Sequence, residues 1–204
     1  MNWVADAVAE LDDSHMAVVS SDEEMLAGFT AGLAGFLGLL PETQVVVLSG
    51  EAIATLDQFC RQLERQIPGH RLARAIDGPG GVASLLRQRP TLGFSRPAKR
   101  RYYLWNDADA TIRADDDLFG RLAEVMLGVA ADAEYGSDEL LMIHRVVFLG
   151  GDLLTGYRND PDGQLRSWRL DRIGEPFWAS VSGVAAPRVR LRDVADLVGE
   201  PSHA

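Results

Sequence analysis

A chain of 204 residues with 47% hydrophobic and 25% charged side chains is large enough to bury a sizeable core, and this balance excludes disorder as its main state. The formal charge of −10 argues against a dedicated binder of nucleic acid or anionic membrane, both of which use excess basic charge. One cysteine, Cys60, excludes an internal disulfide framework and a thiolate-rich zinc site, and fits a reducing cytoplasm.

Residues 1–13 carry Asp6, Glu10, Asp12 and Asp13 and no basic n-region, so no signal sequence is expected there. Residues 2–12 read as a short helix followed by a loop. A second helix is expected after an N-cap at Ser20 or Ser21, with Asp22, Glu23 and Glu24 in its first turn, where acids favour the positive end of the dipole. Met25, Leu26, Phe29, Leu33, Phe36, Leu37 and Leu40 form its apolar stripe, with Gly28, Gly32, Gly35 and Gly38 between them allowing another element to come close. The uncharged run 25–40 is short for a bilayer span and has acidic flanks, so no membrane is expected among the partners.

Residues 45–48 are a β-branched run that reads as a strand covered on both faces. Thr55 and Gln58 form a capping box for a helix with Leu56, Phe59, Cys60, Leu63 and Ile67 on its apolar side, which makes Cys60 core filler. Residues 71–76 suit a short strand or a connector, 77–81 a turn, 82–89 a short helix and 91–99 an exposed loop. Residues 102–105 are a second strand, and it delivers Asn106, Asp107 and Asp109 at its C-terminal end. Asp115, Asp116 and Asp117 then open a helix with Leu118, Phe119, Leu122, Val125, Met126 and Val129 on one face. Residues 142–149 read as a third strand, with a buried helix as the alternative their length allows, 152–157 as a short helix, and the remainder as extended pieces around Leu165, Trp168, Phe177, Trp178, Val189 and Leu191 with a terminal helix.

The expected fold is therefore α/β. A mainly parallel sheet with covering helices occupies residues 44–150, with a helical extension at 1–41 and a β/α addition at 151–204, all in a single domain. Ligands in such sheets sit beyond the C-terminal strand edge, which makes residues 49–50, 106–109 and 150–151 the place to look for function.

Charge along the chain is blocked. Residues 1–60 hold ten acids and no Lys or Arg, residues 61–106 ten basic residues against two acids, and residues 107–140 ten acids against two arginines. Nineteen of the 20 basic residues are arginine and Lys99 is the lone lysine, which removes most lysine-dependent phosphate chemistry. His15, His70, His144 and His203 show no paired ligand spacing, and His144 reads as a core histidine. No serine elbow or Cys–His pair is present, so no catalytic residue is assigned. The cation-aromatic stretch 96–103 reads as strand tyrosines in preference to a nucleic-acid patch.

Asp107 and Asp109 carry three competing resemblances. Asp-Ala-Asp-Ala-Thr at 107–111, after an apolar strand, resembles the first motif of haloacid-dehalogenase-type phosphotransferases, which implies an attacking Asp107, a proton-shuttling Asp109 and Mg²⁺. The same strand resembles the acidic strand of P-loop ATPases, with residues 45–50 as the phosphate-loop strand, although no Gly-Lys pair follows. Residues 45–149 resemble barstar-type ribonuclease inhibitors through Val46-Val47-Leu48-Ser49-Gly50, Leu56-Asp57-Gln58-Phe59, Tyr103-Leu104-Trp105-Asn106-Asp107 and Phe119-Gly120-Arg121-Leu122. That family's inhibitory motif is not matched at 77–85, so the resemblance implies a fold and a binding class and no contact set.

The leading expectation is a non-catalytic, cytoplasmic protein-interaction module with a barstar-like core and no cofactor, binding another protein or itself, with Trp168 and Trp178 as partner-surface candidates. The alternative is a degenerate P-loop-like or phosphate-binding domain without ATPase activity. In that reading Asp107 and Asp109 touch Mg²⁺, and Gly80, Gly81, Arg87, Arg89, Arg100 or Arg101 bind an anion. A haloacid-dehalogenase-like phosphotransferase is third. The enzyme and ligand readings need both carboxylates free in an open cleft and not spent on capping a turn.

Overall fold

The computed structural model describes residues 7–9, 11–12, 14–67, 82–83, 86–87, 98–135, 142–159 and 188–193. The described strands are β1 (Ser14–Val19), β2 (Thr43–Ser49), β3 (Arg100–Asn106), β4 (Ile143–Gly150) and β5 (Arg188–Asp193). Between them run α1 (Glu23–Leu39), α2 (Leu56–Gln66), α3 (Ala108–Ala114), α4 (Asp116–Tyr135) and α5 (Asp152–Asn159). The strands form one sheet in the order β2-β3-β4-β1-β5, and every pairing is parallel.

The expected α/β class with a parallel sheet is what the chain forms. Residues 14–19, of which only Ser14 is expected in a loop and the rest carry no assigned element, are a strand flanked by β4 and β5, so the 1–41 segment contributes to the middle of the sheet as well as a helix. Residues 45–48, expected in a strand covered on both faces, belong to an edge strand of the described sheet, and Val47 is 37% exposed. The phosphate-loop role considered for residues 45–50 therefore falls on an edge strand, whereas β1 holds the inner position.

Period-two alternation assigns each strand's side chains to two cores. Ala17, Val46, Leu48, Tyr103, Trp105, Val146 and Phe148 face α2, α3, α4 and α5, while Met16, Val18, Tyr102, Leu104, Val147 and Leu149 face α1 and Leu11. On the first face Trp105 sits among Phe59, Phe119 and Phe148 at ring separations of 5.5, 5.2 and 6.1 Å. Its contact with Phe119 is edge-on, the geometry that aromatic quadrupoles favour.

Local signals explain the helices. Asp22, not Ser20 or Ser21, is the N-cap of α1; its carboxylate accepts the Met25 N–H while the Ser20 hydroxyl accepts the Asp22 N–H. Leu26, Phe29, Leu33 and Leu37 are the buried stripe. Gly28, Gly35 and Gly38 face open space among the described residues, so these glycines do not admit a close neighbour there. Thr55 caps α2 by accepting the Gln58 N–H at 3.3 Å, as the capping box predicts. α3 is an element the sequence reading did not separate from the turn before Asp115.

Expectations for residues 71–76, 77–81 and 160–187, and for the terminal helix after residue 193, lie outside the described residues. Among the described residues no helix is long and apolar enough to cross a membrane.

Candidate functional site

The connections locate the place where a parallel sheet offers a binding crevice. From β1 the chain turns into α1 on one face, and from the neighbouring β4 it turns into α5 on the other. Adjacent strands leaving toward opposite faces open a crevice outside their C-terminal ends. Here that crevice lies between Val19-Ser20 and Gly150-Gly151, with Asn106, Asp107 and Asp109 from the end of β3 beside it.

The chain's own carboxylate takes the main-chain donors on one wall of this crevice. Asp109 accepts the main-chain N–H groups of Gly151, Leu153 and Leu154, each at 3.0 Å. These are the donors that a helix N-terminus offers to an anion, and Asp109 takes that place at the head of α5. The fit is tight at both glycines: a β-carbon on residue 150 would stand 2.5 Å from Asp109 Oδ1 and displace it, and one on residue 151 would stand 3.3 Å from Asp109 Oδ2 and from the Ser20 carbonyl. The Ser20 N–H donates to the Gly150 carbonyl at 3.1 Å, drawing β1 and β4 together at the same level.

Asp107 has a capping role as well. It is the N-cap of α3, adopts a left-handed conformation with φ 49°, and accepts the Ala110 N–H at 3.3 Å. Asp and Asn tolerate that region better than other non-glycine residues. Its carbonyl lies against Gly50, where a β-carbon would come within 1.8 Å, and the Thr111 hydroxyl donates to the Gly50 carbonyl at 3.2 Å. The ends of β2, β3 and β4 are thus stapled by Gly50, Asp107 and Asp109.

Two depressions of about 300 and 270 Å³ remain on this edge. Glu23 and Asp107 line both; Glu51 lines the first, and Asp109, Arg113 and Asp152 line the second. The rim is acidic with one arginine, the wrong sign for a phosphate-bearing ligand. Among the described residues no group of three His, Cys, Asp or Glu side chains is placed to hold a metal ion.

The arginines proposed to accompany these aspartates sit elsewhere. Arg100 and Arg101 begin β3 and the aspartates follow its end, so the strand separates them by about 20 Å at roughly 3.3 Å per residue. Arg100 pairs with Asp12 at 2.7 Å. Arg101 is fully buried and donates to Gln44 Oε1, the Leu86 carbonyl and the Tyr103 hydroxyl. Arg87 lies in a described helical position, while Gly80, Gly81, Arg89, Trp168 and Trp178 lie outside the described residues. One site uniting Asp107 and Asp109 with Arg100 and Arg101 is not formed.

Sequence reading missed the polar cluster at the opposite end of the sheet. A guanidinium only donates, so the Tyr103 hydroxyl accepts from Arg101 at 3.3 Å, and the same hydroxyl is hydrogen-bonded to His144 Nδ1 at 3.2 Å. Val146 N–H donates to His15 Nδ1 at 3.0 Å, leaving the proton on Nε2, which has no partner among the described residues. Burial lowers both histidines to about 3, with Arg145 and His144 adding to the effect at His15, and Arg101, Arg145 and Arg87 at His144. Both rings are neutral near pH 7. Arg145 also donates to the Leu11 and Asp12 carbonyls at 2.7 and 2.6 Å, tying the N-terminal helical residues to the sheet. The only sequence signal for this cluster is the polar pair His144-Arg145 inside an apolar run.

No protein-family model and no curated protein matches the chain. A chain of the Drosophila ORC bound to DNA is similar in structure, with a TM-score of 0.44 and 15% identity over 93% of this chain. This chain spans 28% of that one's length.

Proposed function

We propose that this chain is a non-catalytic interaction domain that binds another protein through charged surfaces. The observation that carries the reading is Asp109: beside the crevice where a parallel sheet would take a ligand, the α5 N–H groups that would hold an anion already donate to this carboxylate. Chemistry at Asp107 and Asp109 would need those carboxylates free, and a phosphate site would need the α1 and α5 N-termini free of Asp22, Glu23, Glu24 and Asp109.

The exposed acids Asp22, Glu23, Glu24, Glu51 and Asp152 around this edge suit a partner with a basic surface. The neighbouring outer face of α1 adds Gly28, Gly35, Gly38 and Leu39, the last 85% exposed. Crosslinking in cells, comparing the native chain with one carrying Glu23→Arg, Glu51→Arg and Asp152→Arg, tests the proposal. A recurrent partner that crosslinks near these residues and is lost on charge reversal is the expected result. Crosslinks that survive the reversal unchanged, or none above background, overturn it.

A further inference from the structure

β2 is one of the two edge strands of the described sheet, and its sequence gives it none of the usual protection. Thr43–Ser49 reads TQVVVLS, with no charge, no proline and three consecutive valines. Such a segment on an open edge pairs readily with another strand.

The outward N–H and C=O groups of Val47 and Ser49 are nevertheless taken. Val47 N–H donates to Gln66 Oε1 at 2.7 Å while Gln66 Nε2 donates back to the Val47 carbonyl at 2.5 Å. One pleat further, Ser49 N–H donates to Gln62 Oε1 at 2.8 Å and Gln62 Nε2 donates to the Ser49 carbonyl at 2.9 Å. A glutamine amide carries one acceptor and two donors in the plane of a peptide group, so each side chain reproduces the paired bonds of a neighbouring strand residue. The spacings agree: Gln62 and Gln66 are one helical turn apart on α2, while Val47 and Ser49 are two strand residues apart, about 6 to 7 Å. Gln44 secures the helix end by donating to the Gln66 carbonyl at 3.2 Å.

We infer that Gln62 and Gln66 take the place of a neighbouring strand beside Val47 and Ser49, and that without their amides two copies of this chain pair β2 against β2. The second copy is the occupant the geometry favours because the edge is self-complementary. A two-fold axis through Val47 sets Val47 opposite its counterpart in a hydrogen-bonded antiparallel pair, with Val45 opposite Ser49 and no charge along 43–49 to oppose the approach. The domain thus keeps this edge out of association, whatever partner its acidic surface binds.

The test uses the full chain carrying Gln62→Ala and Gln66→Ala. Sedimentation at rising concentration should show a species of twice the wild-type mass, and adding Val47→Lys should abolish it by placing a charge on the edge. A double variant that keeps the wild-type mass overturns the inference. Should that variant fail to fold, hydrogen exchange of the unaltered chain decides. Val47 and Ser49 amides should exchange about 100-fold or more slowly than free amides, as paired ladder amides do, and exchange at the free rate overturns the inference equally.

Discussion

Asp109 Oδ1 lies where a side chain on residue 150 would begin, 2.5 Å from the position of a β-carbon on Gly150. The carboxylate and the glycine are fitted to each other, and the α5 N–H groups close the arrangement. Asp109→Ala removes a charged cap from three donors, and its expected cost is about 2 kcal/mol. Denaturant unfolding at neutral pH measures it. A cost within about 0.5 kcal/mol, the range of an ordinary surface substitution, contradicts a structural role for Asp109.

Gly50 and Asp107 make a stricter pair, because the obstacle to a β-carbon is the Asp107 carbonyl at 1.8 Å and main chain cannot rotate away as a side chain can. Gly50→Ala should destabilise by about 3 kcal/mol or more, since the β3–α3 turn must shift. Asp107→Asn keeps an oxygen for the Ala110 N–H and tolerates φ 49°, so it should stay within about 0.5 kcal/mol of wild type. Equal losses in the two variants would contradict the assignment of Asp107 as a cap.

The histidines set the acid limb of stability. His15 and His144 are lowered from 6.5 to about 3 in the folded chain, chiefly by burial. The unfolded chain therefore binds more protons below 6.5. Stability is fully present above that pH and is lost as pH falls toward 3, by up to about 1.4 kcal/mol per pH unit for each ring. Urea midpoints at pH 7.5 and pH 5 should differ in that direction. His144→Gln, which keeps a hydrogen-bonding partner for the Tyr103 hydroxyl, should flatten the slope; the same slope in variant and wild type removes His144 from the account.

Burial, with Asp57 and Glu64 adding to it, raises the Cys60 thiol from 9.0 to about 11. At pH 8 about one thiol in a thousand is then ionised, and access is blocked as well. A thiol reagent should label the native chain slowly and the urea-unfolded chain at once. Rapid native labelling would show that α2 opens readily from the sheet.

Elements whose pattern is purely local were legible in the sequence: the Thr55 capping box, the α1 and α4 apolar stripes, and the valine run of β2. The inner position of β1 was not, because Ser14 and His15 break its apolar run; both are buried, and His15 accepts the Val146 N–H. Strand order depends on pairings remote in sequence, such as Met16 with Val147, which no local pattern reports. At the site, the sequence brought Asp107 and Asp109 to the correct sheet edge. Their use as caps became visible only once Gly151 and Leu154, 42 and 45 residues further along, were in place.

Asp109 holds the α5 donors that a phosphate or nucleotide in the crevice would need, and thermal melting of the unaltered chain with and without Mg²⁺, inorganic phosphate and Mg²⁺-nucleotides tests this most directly. A ligand at about 100 times its Kd would stabilise the chain by about 2.7 kcal/mol. For a chain of this size that is a rise of roughly 5 to 10 °C. The predicted result is a melting temperature that none of these ligands moves. A saturable, nucleotide- or phosphate-dependent rise of that size would contradict it.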